Sequence, residues 1–185
     1  MIDSIKKDLK MNLSQYRYEH SILVAEEAKA LAHTYQCNPE KAYIAGLVHD
    51  IAKEFTDAEN QYWIEKYHLS RKWLSIEYAP IVHAEIGAVV IQEKYGLDLD
   101  ICRAVRYHTI GHLPMSLFDK ILFVADKIGR KNKNTEIQKI SELAYQDLDA
   151  ALLEIIVLEQ KKLEKKGKTL HPETLKLLKS LQNSI

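Results

Sequence analysis

The sequence predicts an all-α protein. Only six glycines and four prolines occur in 185 residues, so few positions favour tight turns. Apolar residues recur at spacings of three and four rather than two, which is typical of one face of a helix. The length fits a single core of ordinary size, so we expect residues 1–185 to form one domain.

The first predicted helices follow a short N-terminal leader. An apolar stripe of helical period runs along 16–35. The run NPE at 38–40 supplies a cap and a proline at the first helical position, and it predicts a helix that continues toward Lys53. The run TDAE at 56–59 has the form of a capping box and predicts a helix that reaches Tyr67.

The middle of the chain predicts three more helices. Pro80 is expected to begin one that Gly96 ends, because glycine is favoured just after a helix. The next is predicted over 98–107. Another is predicted over 116–128, where Asp119 stands three residues after a serine, as in a capping box.

The C-terminal third predicts a loop and two helices. The polar stretch KIGRKNKNT at 127–135 has the weakest apolar pattern and is predicted to be a loop. One long helix is predicted over 136–166 and stops at Gly167, and the last begins at the pair 171–172. These helices of 136–185 are expected to pack on the part that precedes them.

Composition excludes several classes of protein. Lysine and arginine number 26, as do aspartate and glutamate, so no net charge attracts nucleic acid or an anionic membrane. No apolar run approaches the roughly 20 residues that span a bilayer, and the N-terminus lacks a signal-peptide core, so we expect a cytoplasmic protein. Cys37 and Cys102 have no Cys-x-x-Cys spacing, and we expect both to be buried and reduced.

The stretch GLVHDIAK at 46–53 places a histidine, an aspartate and a lysine among small and apolar residues. An ionised carboxylate there is costly unless a cation compensates it, and imidazole and carboxylate are ligands for zinc, iron and manganese. A lone histidine is more often a hydrogen-bonded core residue. One metal site, however, accounts together for six inward-facing candidates, which are His20, His49, Asp50, His83, His108 and Asp126.

The order histidine, His-Asp, late aspartate resembles the HD superfamily of metal-dependent phosphohydrolases, with His20, His49-Asp50 and Asp126 in matching positions. His83 and His108 match the extra histidines of its two-metal members. Five ordered words, together with the closing GKTLHPET, resemble the bacterial YqeK family over nearly the whole chain. These words are RYEHS, GLVHDIAK, VHAEIGA, RYHTIGHLPMSLFDKI and VADKI.

The resemblance implies an HD-domain helical bundle with the metal site in its core. It implies a symmetrical bis(5'-nucleosyl)-tetraphosphatase, which splits diadenosine tetraphosphate into two ADP. One or two divalent transition-metal ions, iron or else manganese, are expected on the six ligands, with Asp50 as the bridge and a metal-held hydroxide as the nucleophile. The residues expected to carry the catalysis are Asp50, Lys53, His83 and His108.

A polyphosphate needs cations beyond the metals, because the protein contributes mainly position and charge in phosphoryl transfer. For the arginines an ion-paired surface charge is the alternative, and for the segment after His108 the alternative is a plain turn. The residues expected to contact a nucleotide are Arg17, Lys53, Arg106, Thr109, Gly111 and Arg130.

Two places depart from the family pattern. Lys127 follows Asp126 where the family usually has tyrosine, with Gly129-Arg130 beyond it, and His112 stands where arginine is common. The metal ligands are untouched, so the departures concern substrate contacts and rate. Two alternatives stay open, namely hydrolysis of another nucleotide and a metal-dependent nucleotide-binding module with little turnover. The expected partner is a nucleotide with ADP- or GDP-like products, and a homodimer is left open.

Overall fold

The computed structural model describes residues 1–74 and 79–183, and within these ranges it is all-α, as predicted. The predicted domain limits 1–185 include 75–78 and 184–185, which lie outside the described residues. A short 3-10 helix occupies Arg71–Leu74. The α-helices are α1 (Ile2–Asn12), α2 (Gln15–Thr34), α3 (Pro39–Val48), α4 (Asp57–Lys66), α5 (Val82–Tyr95), α6 (Leu99–Tyr107), α7 (Leu117–Ile128), α8 (Thr135–Ala144), α9 (Leu148–Glu164) and α10 (Pro172–Gln182).

Helix α2 is the centre of the packing, because both α3 and α7 lie against it. Two glycines permit this close approach. A Cβ atom on Gly46 would lie 2.5 Å from the Ala25 Cα, and one on Gly129 would lie 2.9 Å from the Val24 Cα. The end of α3 and the end of α7 therefore meet the same turn of α2, one turn beyond His20.

The predicted helix from Asn38 to Lys53 ends earlier than expected, at Val48. His49 to Glu54 form turns instead, with the amide of Lys53 donating to the Asp50 carbonyl at 2.9 Å. The His49 ring donates from Nδ1 to the Gly46 carbonyl at 2.8 Å, which satisfies one of the last carbonyls of the helix. The prediction that His49 and Asp50 lie on a helix is therefore wrong, and they lie directly after one.

The leader and the C-terminal third also differ from the prediction. Residues of the leader form α1, which buries Ile5 and Leu9. The long helix expected over 136–166 is two helices, because the Asp147 side chain accepts from the amides of Asp149 and Ala150 and caps a new helix start. Helix α9 packs on α7, and α10 packs on α9.

The other start and stop signals have mixed outcomes. Both predicted capping boxes are present, at Thr56 with Glu59 and at Ser116 with Asp119. Gly96 ends α5 in the left-handed conformation as expected. Helix α5 begins at Val82 rather than at Pro80.

The two cysteines are free thiols. Cys102 is buried as predicted, whereas Cys37 is partly exposed, so its predicted burial is wrong. Among the described residues, no helix has the length and apolar character that crossing a bilayer requires.

The contact at Gly46 makes a testable prediction about stability. Gly46→Ala forces a methyl group into the backbone of α2, so the free energy of unfolding should fall by about 1–3 kcal/mol. Gly87→Ala is the matched control, because its Cβ would meet Ile51 and Val105 side chains at an ordinary 3.5 Å. That variant should be neutral or more stable by up to about 1 kcal/mol, since alanine favours a helix. Urea unfolding followed by circular dichroism measures both, and equal stabilities would contradict the close approach.

Candidate metal centre

The structure brings all six predicted ligands together in the core. His20 comes from α2, and His49 with Asp50 comes from the turn after α3. The other three come from separate helices. His83 lies in the first turn of α5, His108 at the end of α6 and Asp126 in the last turn of α7.

Asp50 is the residue that the ligand groups share. Its Oδ1 lies 3.1 Å from the His83 Nε2 and 3.5 Å from the His108 Nε2. Its Oδ2 lies 3.4 Å from the His49 Nε2 and 4.0 Å from the His20 Nε2. Asp50 therefore belongs to two groups of candidate ligands. The first group also contains His20 and His49, and the second also contains His83 and His108. Within each group the ligand atoms lie within 4.8 Å of one another. One carboxylate thus faces two potential ion positions.

Asp126 adds a second carboxylate to the group that contains His20 and His49. Its Oδ1 lies 3.2 Å from the His20 Nε2 and 3.4 Å from the His49 Nε2. Its Oδ2 accepts from the Lys127 Nζ at 2.6 Å. The two oxygens therefore point to different partners, one to the imidazoles and one to a lysine.

Two imidazoles are oriented by backbone carbonyls. The His49 Nδ1 lies 2.8 Å from the Gly46 carbonyl and the His108 Nδ1 lies 2.6 Å from the Val105 carbonyl. A carbonyl only accepts, so each Nδ1 carries a proton and each Nε2 is directed at the carboxylates. This second bond is the usual support of a metal-ligating histidine.

The His49 Nε2 provides a test of whether a metal fits. It is buried 3.4 Å from an oxygen of Asp50 and 3.4 Å from an oxygen of Asp126, but it is in hydrogen-bonding geometry with neither, nor with any other described residue. A buried polar nitrogen without a partner is costly, and a nearby cation would remove that cost. The donor set, which consists of imidazole nitrogen and carboxylate oxygen, is able to bind a divalent transition metal.

The protonation states of the second group also suit a metal. Burial alone would raise the pKa of Asp50, but His49, His108 and His83 together hold it well below its usual range. Burial lowers the pKa of His83 to about 3 and also lowers the pKa of His108. At neutral pH this group is thus an ionised carboxylate with two neutral imidazoles, the forms in which these side chains bind metals.

His49 differs from the other two buried histidines. Burial would lower its pKa, but the carboxylates of Asp50 and Asp126 raise it to about 10. Without a metal, a proton on this ring compensates the two carboxylates. A metal ion bound there would displace that proton, as metal binding to protonated ligands generally does.

A cavity of about 610 Å³ opens beside the first group, and we call it the site cavity. Arg17 reaches the Asp50 Oδ2 from it, with Nη1 at 2.5 Å. The Lys53 Nζ lies 3.1 Å and 3.3 Å from the two ring nitrogens of His83. The nucleotide-contact candidates that line the site cavity are Arg17, Lys53, Thr109 and Arg130.

Two of the predicted contact residues lie outside the site cavity. The Arg106 Nε lies 3.3 Å from the Glu85 Oε1, and both line a separate cavity that shares Thr109 with the first. Gly111 has a φ of +66°, and a Cβ there would lie 2.6 Å from the Leu177 Cδ2. The absence of a side chain at Gly111 therefore lets the backbone approach α10.

Six residues that line the site cavity were not among the predicted site residues, namely Tyr16, Glu19, Leu23, Lys127, Lys131 and Asn132. The signal for two of them was present. Tyr16 and Leu23 flank His20 at helical spacing on α2, but their exposure could not be read from the sequence. Lys127 was visible as a departure from the family pattern, although its pairing with Asp126 was not.

Comparison with known proteins gives consistent results. The HD domain family matches residues 17–131. The symmetrical bis(5'-nucleosyl)-tetraphosphatase of Halalkalibacterium halodurans is 34% identical over 90% of this chain and 89% of its own. The protein of the same name from Bacillus subtilis is 33% identical over the same shares.

A crystal structure from Clostridium acetobutylicum, described as an HD superfamily hydrolase involved in NAD metabolism, is also similar. It superposes with a TM-score of 0.91 at 30% identity, over 100% of this chain and 98% of its own.

Because Asp50 belongs to both ligand groups, replacing its side chain should affect both. Asp50→Ala should lose metal from both groups. Its metal affinity should fall by more than the about 10–100-fold that is typical when a residue supporting a metal ligand is removed. Helical circular dichroism should persist. The metal content of purified protein, reloaded with manganous ion and measured by mass spectrometry, tests this.

Asp119→Ala is the matched control, because Asp119 is as buried as Asp50 but binds Arg103 and caps α7. It should lower stability and keep the metal. Wild-type metal content in Asp50→Ala would contradict the assignment.

Proposed function

The chain belongs to the HD-domain family and, within it, to the YqeK family, and on this basis we propose that it splits diadenosine tetraphosphate symmetrically into two ADP. The observation that carries the proposal is that Asp50, shared by two ligand groups, lines a cavity with cationic walls. Relatives that match this chain over about nine tenths of both lengths are named for this reaction.

The metal in our proposal is iron, with manganese as the alternative. Both accept the mixed imidazole and carboxylate set, whereas magnesium and calcium prefer oxygen ligands. His20, His49, Asp50 and Asp126 would hold the first ion, and Asp50, His83 and His108 would hold a second. When bound, a divalent pair supplies positive charge to a phosphoryl group under attack and makes water more acidic.

The site cavity carries the charge that a polyphosphate needs. Five cationic side chains line it against three carboxylates, two of which are metal-ligand candidates. The chain as a whole has no net charge, so this positive excess is local. The volume of about 610 Å³ lies within the range of roughly 300–1,000 Å³ that is usual for ligand sites, and it suits one nucleotide.

Lys53 and Arg17 stand closest to the ligands. Burial lowers the pKa of Lys53, and its ammonium group lies beside the His83 ring. There it is placed to bind a phosphoryl oxygen next to the second group. Arg17 holds the Asp50 Oδ2 through Nη1, and its Nε is buried without a hydrogen-bond partner among the described residues. We assign it two roles, the positioning of Asp50 and the binding of phosphate.

The leaving group requires charge compensation rather than a proton donor. A nucleoside diphosphate leaves as a stable anion, and phosphoryl transfer depends mainly on position and charge. Arg130 and Lys131 line the site cavity, and neither forms an ion pair within the described part of the chain. Both are available for the departing phosphates. The cytoplasmic location stays a prediction, and a homodimer stays open.

The reaction itself is the first test. Purified protein reloaded with ferrous or manganous ion should convert diadenosine tetraphosphate to ADP alone, resolved by ion-exchange chromatography, because the ligands lie where the central bond would be held. Protein stripped of metal by a chelator should be inactive. ATP with AMP would contradict symmetrical cleavage, and metal-loaded protein without turnover would favour another nucleotide or the binding module.

Lys53 gives a sharper test of the cation argument. Lys53→Met should lower kcat/KM for diadenosine tetraphosphate by about 100-fold, the usual loss when one charge-stabilising group is removed. Its metal content should stay at the wild-type level, since the ligands are unchanged. Lys41→Met is the control, because Lys41 pairs with Asp98 on the surface at 2.6 Å and lines no part of the site cavity. Equal kinetics of the two variants would contradict the role of Lys53.

A further inference from the structure

The end of the site cavity beside the start of α2 differs from the rest of its wall. Tyr16 and Glu19 line it there, one turn apart on the helix surface, and we call this part of the wall the Tyr16 end. Among the described residues, neither side chain forms a hydrogen bond or an ion pair with a candidate metal ligand, whereas Arg17 and His20 do. The Tyr16 end therefore belongs to the cavity but not to the metal centre.

The charge at the Tyr16 end disfavours phosphate. Glu19 is exposed, and among the carboxylates that line the site cavity it is the one that is not a candidate metal ligand. Like charges repel, so phosphate oxygens are more stable beside the five cationic side chains of the cavity than beside this carboxylate. A carboxylate instead accepts hydrogen bonds from hydroxyl groups, such as those of a ribose. The nucleoside part of a bound nucleotide therefore belongs at the Tyr16 end, and its phosphates belong at the ligand groups.

Tyr16 presents an accessible aromatic ring at this end. The residue is 75% exposed, so its ring is not part of the core. The Arg17 guanidinium carbon lies over the ring, 5.7 Å from its centroid, and Arg17 also holds the Asp50 Oδ2 at 2.5 Å. This cation–π contact orients the ring beside the metal centre. The high exposure leaves the other face of the ring open to a flat ligand group.

We propose that Tyr16 is the stacking platform for the base of the nucleotide that occupies the site cavity. This inference rests on the proposed function and extends it to recognition of the base. The base lies on the open face of the ring, the ribose lies beside Glu19, and the phosphates extend past Arg17 to the ligand groups. Every base has a π face, so stacking accepts adenine and guanine alike. The Tyr16 end thus selects nucleotides over inorganic polyphosphate rather than one purine over the other.

Isothermal titration calorimetry of manganese-loaded protein with ADP and with pyrophosphate tests the proposal without turnover. Both ligands carry two phosphates, but only ADP has a base and a ribose. Tyr16→Ala should weaken ADP binding by about 5- to 150-fold, the usual range for the loss of one base–aromatic stack, and leave pyrophosphate binding unchanged. GDP should lose as much affinity as ADP. An unchanged ADP affinity in Tyr16→Ala would overturn the proposal.

Two further variants separate the ring from other effects. Tyr16→Phe keeps the aromatic ring and should bind ADP as the wild type does. Tyr62→Ala is the matched control, because Tyr62 is also an exposed helical tyrosine, with the Lys66 Nζ 5.5 Å from its ring centroid, but lies outside the site cavity. It should bind ADP normally. Equal losses of ADP and pyrophosphate affinity in Tyr16→Ala would assign Tyr16 to the positioning of Arg17 and overturn its role in base binding.

Kinetics distinguish failure of this inference from failure of the proposed function. With diadenosine tetraphosphate as substrate, Tyr16→Ala should raise KM and leave kcat unchanged, because a stacked base is held equally in the ground state and in the transition state. Turnover with an unchanged KM would overturn the role of Tyr16 alone. ADP binding that depends on Tyr16, without any hydrolysis by the wild type, would overturn the proposed reaction and keep the base site.

Discussion

The rest of the structure depends on a carboxylate in the core. Asp50 is 3% exposed, and an ionised group at that depth must be compensated from several sides. Its two oxygens face four imidazoles, and Arg17 adds a cation at 2.5 Å. Apart from the adjacent His49, each of these partners lies on a different element from Asp50. The positions of the helices are therefore tied to this one charge.

Small residues make this assembly sterically possible. Gly46 and Gly129 let the end of α3 and the end of α7 approach neighbouring residues of α2, and His20 lies one turn earlier on that helix. Histidine and aspartate side chains are short, so ligands from three helices converge only if the backbones come this close. The packing of the core and the geometry of the first ligand group thus have the same cause.

The sequence was sufficient for the fold class, for the six candidate ligand residues that the structure brings together and for both capping boxes, because each depends on local spacing or on residue type. It was insufficient where a side chain chooses between partners. Asp147 begins a new helix instead of lying inside one, and His49 bonds to a carbonyl and so ends α3. Arg106 pairs with Glu85 across two helices and thereby leaves the site cavity. Such choices depend on three-dimensional proximity, which apolar periodicity does not encode.

A symmetrical substrate does not require a symmetrical protein. Its two halves are chemically identical, yet the candidate ligands that line the site cavity come from different elements and differ in kind. What decides the position of cleavage is where the charged centre lies along the phosphate chain. If the site cavity holds one nucleotide, the charged centre faces a bond at a fixed distance from that end, whichever half enters first. In a chain of four phosphates, the bond after the second phosphate is the central one. One anchored nucleotide is thus enough to give two identical products.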